Sequence, residues 1–254
     1  MSIIHLIITR FLIELSNSSK EFEKVLATDY YLLNGIRVME KYLIPSLENQ
    51  SCKNFTWILL WGNKIDIKQI MTKLNIKFSF NIKIINRNQM KNYIRNITKG
   101  FDVLITTRID YDDIIYYDAT NDVRKLININ KPMILHGYNR GVIYLESQRK
   151  YYDYYARNKN GCLAIFLSLI IILKKVKGIH TIYDIGPHTN IRTFLINRRN
   201  SFGIDEFNYE PAIFDSGSPK FVYIRQNFSH NVNFHKKLRF KKEIKFNISK
   251  LYNQ

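Results

Sequence analysis

The chain has 254 residues, and its 39 Lys and Arg against 21 Asp and Glu give a formal net charge of +18. Hydrophobic residues make up 46% of the sequence, which excludes a disordered chain and suffices for one sizeable core. Cys52 and Cys162 are distant in sequence and have no histidine at metal-ligand spacing, so neither a disulfide framework nor a zinc site is indicated.

The first half of the chain alternates between strand and helix patterns. Continuous β-branched and apolar residues predict strands at 3–8, 55–61, 82–85 and 103–109, the first of them leading into Thr9-Arg10-Phe11. Helical spacing predicts helices at 40–50, 65–74, 89–98 and 117–127. Strands that alternate with helices are typical of a parallel α/β sheet flanked by helices.

The second half carries three further patterns. Residues 132–135 and 141–145 predict two strands joined as a hairpin through the turn-rich residues 137–141. The apolar run at 162–173 is too short to span a bilayer, and we interpret it as a buried helix. From residue 234 onward lysine and arginine dominate, so we expect one domain over 1–233 followed by a basic tail over 234–254.

Three carboxylates follow the predicted fourth strand directly, at Asp110, Asp112 and Asp113. Like charges so close together raise a pKa or require a counter-ion, and oxygen ligands at positions i and i+2 suit Mg²⁺ or Mn²⁺ carrying substrate phosphates. The alternative is a solvated acidic loop that caps the next helix, because Asp favours helix N-termini. Ligands bind beyond the carboxyl ends of strands in open α/β sheets, and Arg10 and the aspartates both stand there.

On these residues the chain resembles the rhamnosyltransferase family of glycosyltransferases with the GT-A type of fold. The resemblance rests on Ile8-Thr9-Arg10-Phe11, on residues 45–50 leading to Phe55-Thr56-Trp57, and above all on Thr107-Arg108-Ile109-Asp110-Tyr111-Asp112-Asp113. It continues loosely through 166–169, 187–189 and 221–225. It implies a single GT-A-like, Rossmann-like α/β domain with a mostly parallel sheet.

The resemblance also implies a metal-dependent hexosyltransferase that moves a sugar such as rhamnose from a nucleoside-diphosphate donor. By this resemblance Asp110 and Asp112 form a DxD motif that holds Mn²⁺ or Mg²⁺ against the donor diphosphate, and Asp113 supports the metal or contacts the sugar. The expected acceptor is a glycan or lipid-linked hydroxyl. Ile171 falls where relatives carry an acidic residue, so the resemblance does not identify the catalytic base.

Several other side chains are candidates for the same site. Arg10 and Arg108 can grip a diphosphate through a bidentate fork, although Arg108 could instead pair with an aspartate of the cluster. Thr9 is a neighbour whose hydroxyl could bond the nucleotide. Analogy with the fold suggests that a late histidine, His188 or His230, contacts the diphosphate or completes the metal site, whereas a structural role is equally open and His5 is expected to be structural.

Asp205 and Glu206, with Glu210, form the later acidic group that could supply a base for an inverting reaction, or else a solvated loop. The basic tail has three interpretations: a solvated terminal helix, contact with an anionic membrane surface near a lipid-linked acceptor, or RNA binding. We expect a cytoplasmic protein, peripheral at the membrane if the second holds. The rival function is a basic nucleic-acid-binding protein or metal-dependent nuclease, since carboxylates could hold metals for phosphodiester cleavage.

Overall fold

A computed structural model describes residues 1–11, 29–62, 78–138, 140–155, 167–184, 212–214, 219–225 and 242–252. Within these ranges the chain forms two sheets and a few short helices. The main sheet has seven strands: β1 (Ile3–Phe11), β2 (Thr56–Trp61), β3 (Asn81–Asn86), β4 (Val103–Arg108), β6 (Met133–Tyr138), β9 (Leu167–Ile172) and β10 (Ala212–Phe214). The second sheet has five: β5 (Asp113–Ile115), β7 (Arg140–Leu145), β8 (Lys150–Tyr155), β11 (Phe221–Arg225) and β12 (Glu243–Ile244).

The main sheet is mostly parallel, as predicted. Its strand order is β10-β6-β9-β4-β1-β2-β3, and β9 alone runs antiparallel to its neighbours β4 and β6 among the described strands. Because β1 lies between β2 and β4 in parallel register, the carboxyl ends of these three strands share one edge. That edge is where the predicted site residues Arg10 and Arg108 stand.

Helices cover both faces of the main sheet. On one face lies a continuous helical segment made of α1 (Asp29–Val38), a π-helical turn (Met39–Leu43) and α2 (Ile44–Glu48). The other face is covered by α3 (Met90–Ile97), which buries Met90 and Ile94. Side chains of β1 alternate between the two faces: Ile7 packs in one core and Ile8 in the other, so both faces of the strand are buried. A fourth helix, α4 (Ala119–Lys125), follows β5.

The strands predicted at 3–8, 55–61, 82–85 and 103–109 are confirmed, as are the helices at 89–98 and 117–127. A helix also covers most of the predicted range 40–50, but the described helical segment begins well before it, at Asp29. The helix predicted at 65–74 lies outside the described residues. The α/β class therefore follows from the sequence pattern.

The helix predicted at 162–173 is wrong, because residues Leu167–Ile172 form strand β9. All six residues of β9 are buried, and the strand is hydrogen-bonded on both sides, to β4 and to β6. A short apolar run that is buried on both faces has the same composition as a buried helix, so periodicity does not separate the two.

The hairpin predicted over 132–145 is also wrong. Strand β6 pairs with β9 and β10 in the main sheet, whereas β7 pairs with β8 and β11 in the second sheet. The two strands are consecutive in sequence, but the chain crosses from one sheet to the other between them. Turn-forming residues therefore mark a change of sheet here and not a reversal within one.

The described part of the basic tail packs against the second sheet. Strand β12 pairs with β8, and Ile244, Phe246 and Ile248 contact the apolar cluster of that sheet, while Lys242 and Lys245 are exposed. Residues 242–252 thus form a short strand and a 3₁₀ turn, not the terminal helix that was one interpretation of the sequence. No helix in the described ranges is long and apolar enough to cross a membrane.

A buried polar row crosses the middle of the main sheet. His5 Nε2 lies 2.9 Å from Thr107 Oγ1, which lies 2.7 Å from Ser168 Oγ. His5 is buried inside the sheet, in keeping with its predicted structural role, and this burial, assisted by the charge of Arg124, lowers its pKa to about 3. The neutral imidazole is therefore the form that the folded protein contains near neutral pH.

Candidate functional site

Two arginines meet at the carboxyl edge of the main sheet. Arg10 is the penultimate residue of β1, and Arg108 ends β4 beside it, in register with Ile8. The Arg108 side chain is 10% exposed, whereas that of Arg10 is 32% exposed. Parallel pairing of β1 with β4 thus brings together two guanidinium groups that are far apart in sequence.

The carboxylate of Asp110 lies between these guanidinium groups. Arg108 Nη2 is 3.4 Å from both carboxylate oxygens, and Arg10 Nη2 is 3.8 Å from Asp110 Oδ1. Burial works against the charge of Arg108, but Asp110, Tyr183 and Asp113 together outweigh it, so its pKa is raised above the usual value. One acidic residue therefore stabilises two neighbouring cations.

Tyr183 completes this cluster, and the sequence patterns did not single it out. The guanidinium carbons of Arg10 and Arg108 each lie 5.5 Å from the centre of its ring. Its hydroxyl donates to the Ile8 carbonyl at 3.2 Å, and burial raises the pKa of the phenol, so the proton needed for this bond is retained. No spacing rule links Tyr183 to the arginines, because only the folded chain brings them together.

The turn that carries Tyr183 is anchored to the sheet and to α3. Ile182 N donates to Thr106 Oγ1 at 2.8 Å, which ties the turn to β4. Asp184 accepts hydrogen bonds from the backbone and hydroxyl of Thr181 at 2.8 and 2.9 Å, and pairs with Lys91 of α3 at 3.0 Å. These contacts hold the turn on both sides of the tyrosine.

The loop after β4 places the three predicted aspartates differently. Asp113 N donates to Asp110 O at 3.2 Å, which closes a tight turn, and Asp112 is half-buried within it. Asp113 begins β5 opposite Tyr223, and its side chain is fully buried, where its charge acts on Arg108. Asp110 and Asp112 are therefore accessible from the sheet edge, whereas Asp113 lies beneath it.

Aromatic packing supports the same edge from the helical face. Phe11, directly after Arg10, is fully buried and contacts the ring of Tyr111 edge-on at 5.6 Å between ring centres. Gly35 of α1 lies against the Phe11 ring, so closely that a Cβ there would come within 2.6 Å of it. The strand end that carries Arg10 thus depends on a close helix–strand approach.

The remaining predicted residues fall into two groups. Thr9 is fully buried, and its hydroxyl accepts a hydrogen bond from Trp57 Nε1 at 3.0 Å, so it lies in the core and not at the sheet edge. The other predicted site residues lie outside the described ranges: His188, Asp205, Glu206, Glu210 and His230.

The donor atoms at this edge suit a hard divalent cation. Asp110 and Asp112, two residues apart in one turn, supply carboxylate oxygens. Within the described ranges no group of three His, Cys, Asp or Glu side chains converges on one point. Mg²⁺ commonly takes only one or two protein carboxylates and completes its shell with substrate phosphates and water, so the donor set fits such an ion.

Comparisons with known structures give only weak similarities. HddC from Yersinia pseudotuberculosis is 13% identical with a TM-score of 0.34, over 89% of this chain and 90% of that chain. Residues 1–349 of S. aureus TarS are 14% identical with a TM-score of 0.31, over 53% of this chain and 35% of that chain. This chain therefore spans only about a third of the TarS structure, and nothing about activity follows from either likeness.

No curated protein sequence matches the chain significantly. The family described as "Putative rhamnosyl transferase" does match, over residues 6–192. This stretch includes the part of β1 that carries Arg10, β4 with Arg108, the aspartate turn and Tyr183. The mostly parallel α/β sheet agrees with the fold class that the sequence predicted, and the chain belongs to this family of rhamnosyltransferases.

Proposed function

We propose that this protein transfers a sugar, rhamnose in the first instance, from a nucleoside-diphosphate donor to a hydroxyl of a glycan or a lipid-linked acceptor. The observation that supports this proposal is the convergence of Arg10 and Arg108 on one carboxylate at the sheet edge. Each guanidinium group carries paired N–H donors, so two such groups side by side suit the oxygens of a diphosphate. Because Arg108 is largely buried, its attraction for an anion is screened less than that of a surface arginine.

In this proposal the transfer depends on Mn²⁺ or Mg²⁺. Asp112 and Asp110 would hold the ion at the turn after β4, with His230 as a further candidate outside the described residues. When bound, the cation neutralises negative charge that develops on the departing nucleoside diphosphate. Arg10 and Arg108 add fixed positive charge to the same leaving group, and Asp113 stabilises Arg108 from below.

The acceptor side of the reaction rests on residues that the structure does not describe. Asp205 and Glu206 stay the proposed sources of a base that takes the acceptor proton, and His188 stays a proposed diphosphate contact. A lipid-linked acceptor would bring the enzyme to an anionic membrane surface. The exposed Lys242 and Lys245 of the basic tail would then face that surface.

Sugar transfer from a panel of nucleoside-diphosphate sugars, measured with and without Mn²⁺, tests the proposal. We expect transfer that needs the metal and falls about 100-fold or more in Asp112→Asn, in line with the loss of a transition-state charge interaction. Glu243→Gln is the matched control, because this carboxylate forms an exposed ion pair with Lys150 on the second sheet. We expect its activity to be unchanged.

Two results would contradict the proposal. Full activity in Asp112→Asn would show that the metal is held elsewhere or is not needed. Metal-dependent cleavage of RNA or DNA, with no sugar transfer from any donor, would favour the nuclease alternative.

A further inference from the structure

The arginine pair at the sheet edge poses an electrostatic problem. Both guanidinium groups lie within 4 Å of one carboxylate, so they are close enough to repel each other. Asp110 carries one negative charge and contacts both guanidinium groups, and the charge of Asp113 also acts on Arg108. Any further attraction that acts on both guanidinium groups therefore helps to keep the more exposed Arg10 beside Arg108.

Tyr183 supplies an attraction that acts on both cations at once. The face of an aromatic ring carries partial negative charge, and a guanidinium within about 6 Å of its centre is attracted to it. Arg10 and Arg108 both satisfy this condition, each at 5.5 Å. A single ring therefore links the two arginines, whose backbones belong to different strands.

The ring itself is fixed by contacts to the strands that carry the arginines. Its hydroxyl bonds the carbonyl of Ile8, which lies two residues before Arg10 and opposite Arg108 in the strand register. Ile182, the preceding residue, bonds Thr106, two residues before Arg108. The turn is thus hydrogen-bonded to both strands near their ends, and the ring is in position before any ligand binds.

We propose that Tyr183 is a positioning residue, which holds Arg10 and Arg108 side by side so that they form a preorganised binding site for the diphosphate of the donor. This inference rests on the proposed function, because it assigns the arginine pair to the donor. Preorganisation strengthens binding by removing the cost of ordering the two long side chains when the ligand arrives. In this role the tyrosine acts on the ligand through the two arginines that it holds.

Calorimetric binding of inorganic pyrophosphate and of uridine diphosphate tests the proposal without requiring sugar transfer. We expect Tyr183→Leu to weaken the binding of both ligands about tenfold. Tyr183→Phe should weaken it by less, because phenylalanine keeps the ring face and loses only the hydroxyl that bonds Ile8 and Arg10. Tyr252→Leu is the control, because it removes a half-buried tyrosine that packs against the apolar cluster of the second sheet. We expect this variant to bind both ligands with wild-type affinity.

A comparison of two isosteric rings separates positioning by the ring face from simple packing. Trifluorination of phenylalanine removes the partial negative charge of the ring face and nearly preserves the shape of the ring. A variant with trifluorinated phenylalanine at position 183 should therefore bind pyrophosphate about as weakly as Tyr183→Leu, and more weakly than Tyr183→Phe. Equal affinities with fluorinated and unfluorinated rings would overturn the proposal. The comparison of the fluorinated and unfluorinated rings also tests the proposal if Tyr183→Leu does not fold.

The outcomes distinguish this inference from the proposed function. Wild-type binding of pyrophosphate that Tyr183→Leu retains in full would refute the role of Tyr183 and leave the donor site intact. If Tyr183→Leu lost the binding of uridine diphosphate but kept that of pyrophosphate, Tyr183 would be a stacking partner for the uracil base, and its role in positioning the arginines would also be refuted. A wild-type protein that binds neither ligand would refute the donor site itself.

Discussion

Arg10 and Asp110 approach to 3.8 Å although Arg10 lies near the end of the first strand and Asp110 follows the fourth. This contact exists because β1 and β4 are parallel neighbours whose carboxyl ends share an edge. Arg108 joins the same carboxylate from below, with less exposure to solvent. The geometry of the pair, more than its charge alone, is what a diphosphate would recognise.

The first prediction concerns the fork shape of Arg108. Lysine at this position keeps the charge but lacks the planar donors and the stacking surface that meet Asp110 and Tyr183. We expect Arg108→Lys to weaken binding of uridine diphosphate about tenfold, measured by calorimetry. Arg95→Lys, on the exposed face of α3, is the control. Wild-type affinity in Arg108→Lys would show that a point charge is enough.

The second prediction concerns the approach of α1 to the end of β1. A methyl group at Gly35 would lie 2.6 Å from Phe11 Cε2, and Phe11 is fully buried against Tyr111. Overpacking of this kind costs about 1–3 kcal/mol. The better helix propensity of Ala over Gly contributes at most about 1 kcal/mol in the opposite direction, so the cost is the larger of the two. We expect urea unfolding of Gly35→Ala to show a net loss of stability.

A second substitution tests the cause of that loss. Phe11→Leu removes the atoms that the new methyl group would meet, so the Gly35→Ala change should cost less in the Phe11→Leu background than alone. If Gly35→Ala is as stable as the wild type, the Phe11 ring moves aside freely and the close approach is unimportant.

The third prediction concerns the basic tail. Phe246 contacts Tyr151 with 5.7 Å between ring centres and is half-buried on the second sheet, whereas Lys245 is exposed. We expect Phe246→Ala to lower the free energy of unfolding by about 1–2 kcal/mol, roughly half the cost at a fully buried site. Lys245→Ala should stay within about 0.5 kcal/mol of the wild type. Equal effects of the two changes would mean that the tail does not pack in solution.

The fourth prediction concerns pH and His5. Burial lowers the pKa of His5 from 6.5 to about 3, so below pH 6.5 the unfolded chain binds a proton that the folded protein does not. The free energy of unfolding therefore has its full value above pH 6.5, the pKa of His5 in the unfolded chain. It decreases as the pH falls from there toward about 3, the pKa of His5 in the folded protein. From about pH 7 to about pH 5 the loss is about 2 kcal/mol.

Urea unfolding at both pH values, for the wild type and His5→Gln, measures this contribution. Glutamine can still hydrogen-bond Thr107 but does not titrate, so the variant should lose about 2 kcal/mol less than the wild type over the same interval. Identical pH dependence in the two proteins would show that His5 titrates near its ordinary pKa in the folded state.

Local pattern predicted the elements of the main sheet where burial is continuous. Strands β1, β2 and β4 are covered on both faces, so each contains a run of consecutive β-branched or apolar residues that stands out from the helices between them. The same rule explains the error at β9. Its six buried residues carry no periodicity, and only its position between β4 and β6 makes it a strand.

The amino-acid sequence by itself determined the α/β class, the family, and the presence of Arg10, Arg108 and the aspartates at strand ends, because hydrophobic periodicity and short motifs are local properties of the chain. Tertiary structure alone decided that β6 and β7 belong to different sheets, that Thr9 faces the core, and that Tyr183 meets both arginines. Those relationships depend on which strands pair and on how a distant turn is anchored, and pairing between remote segments leaves no signature in the spacing of one sequence.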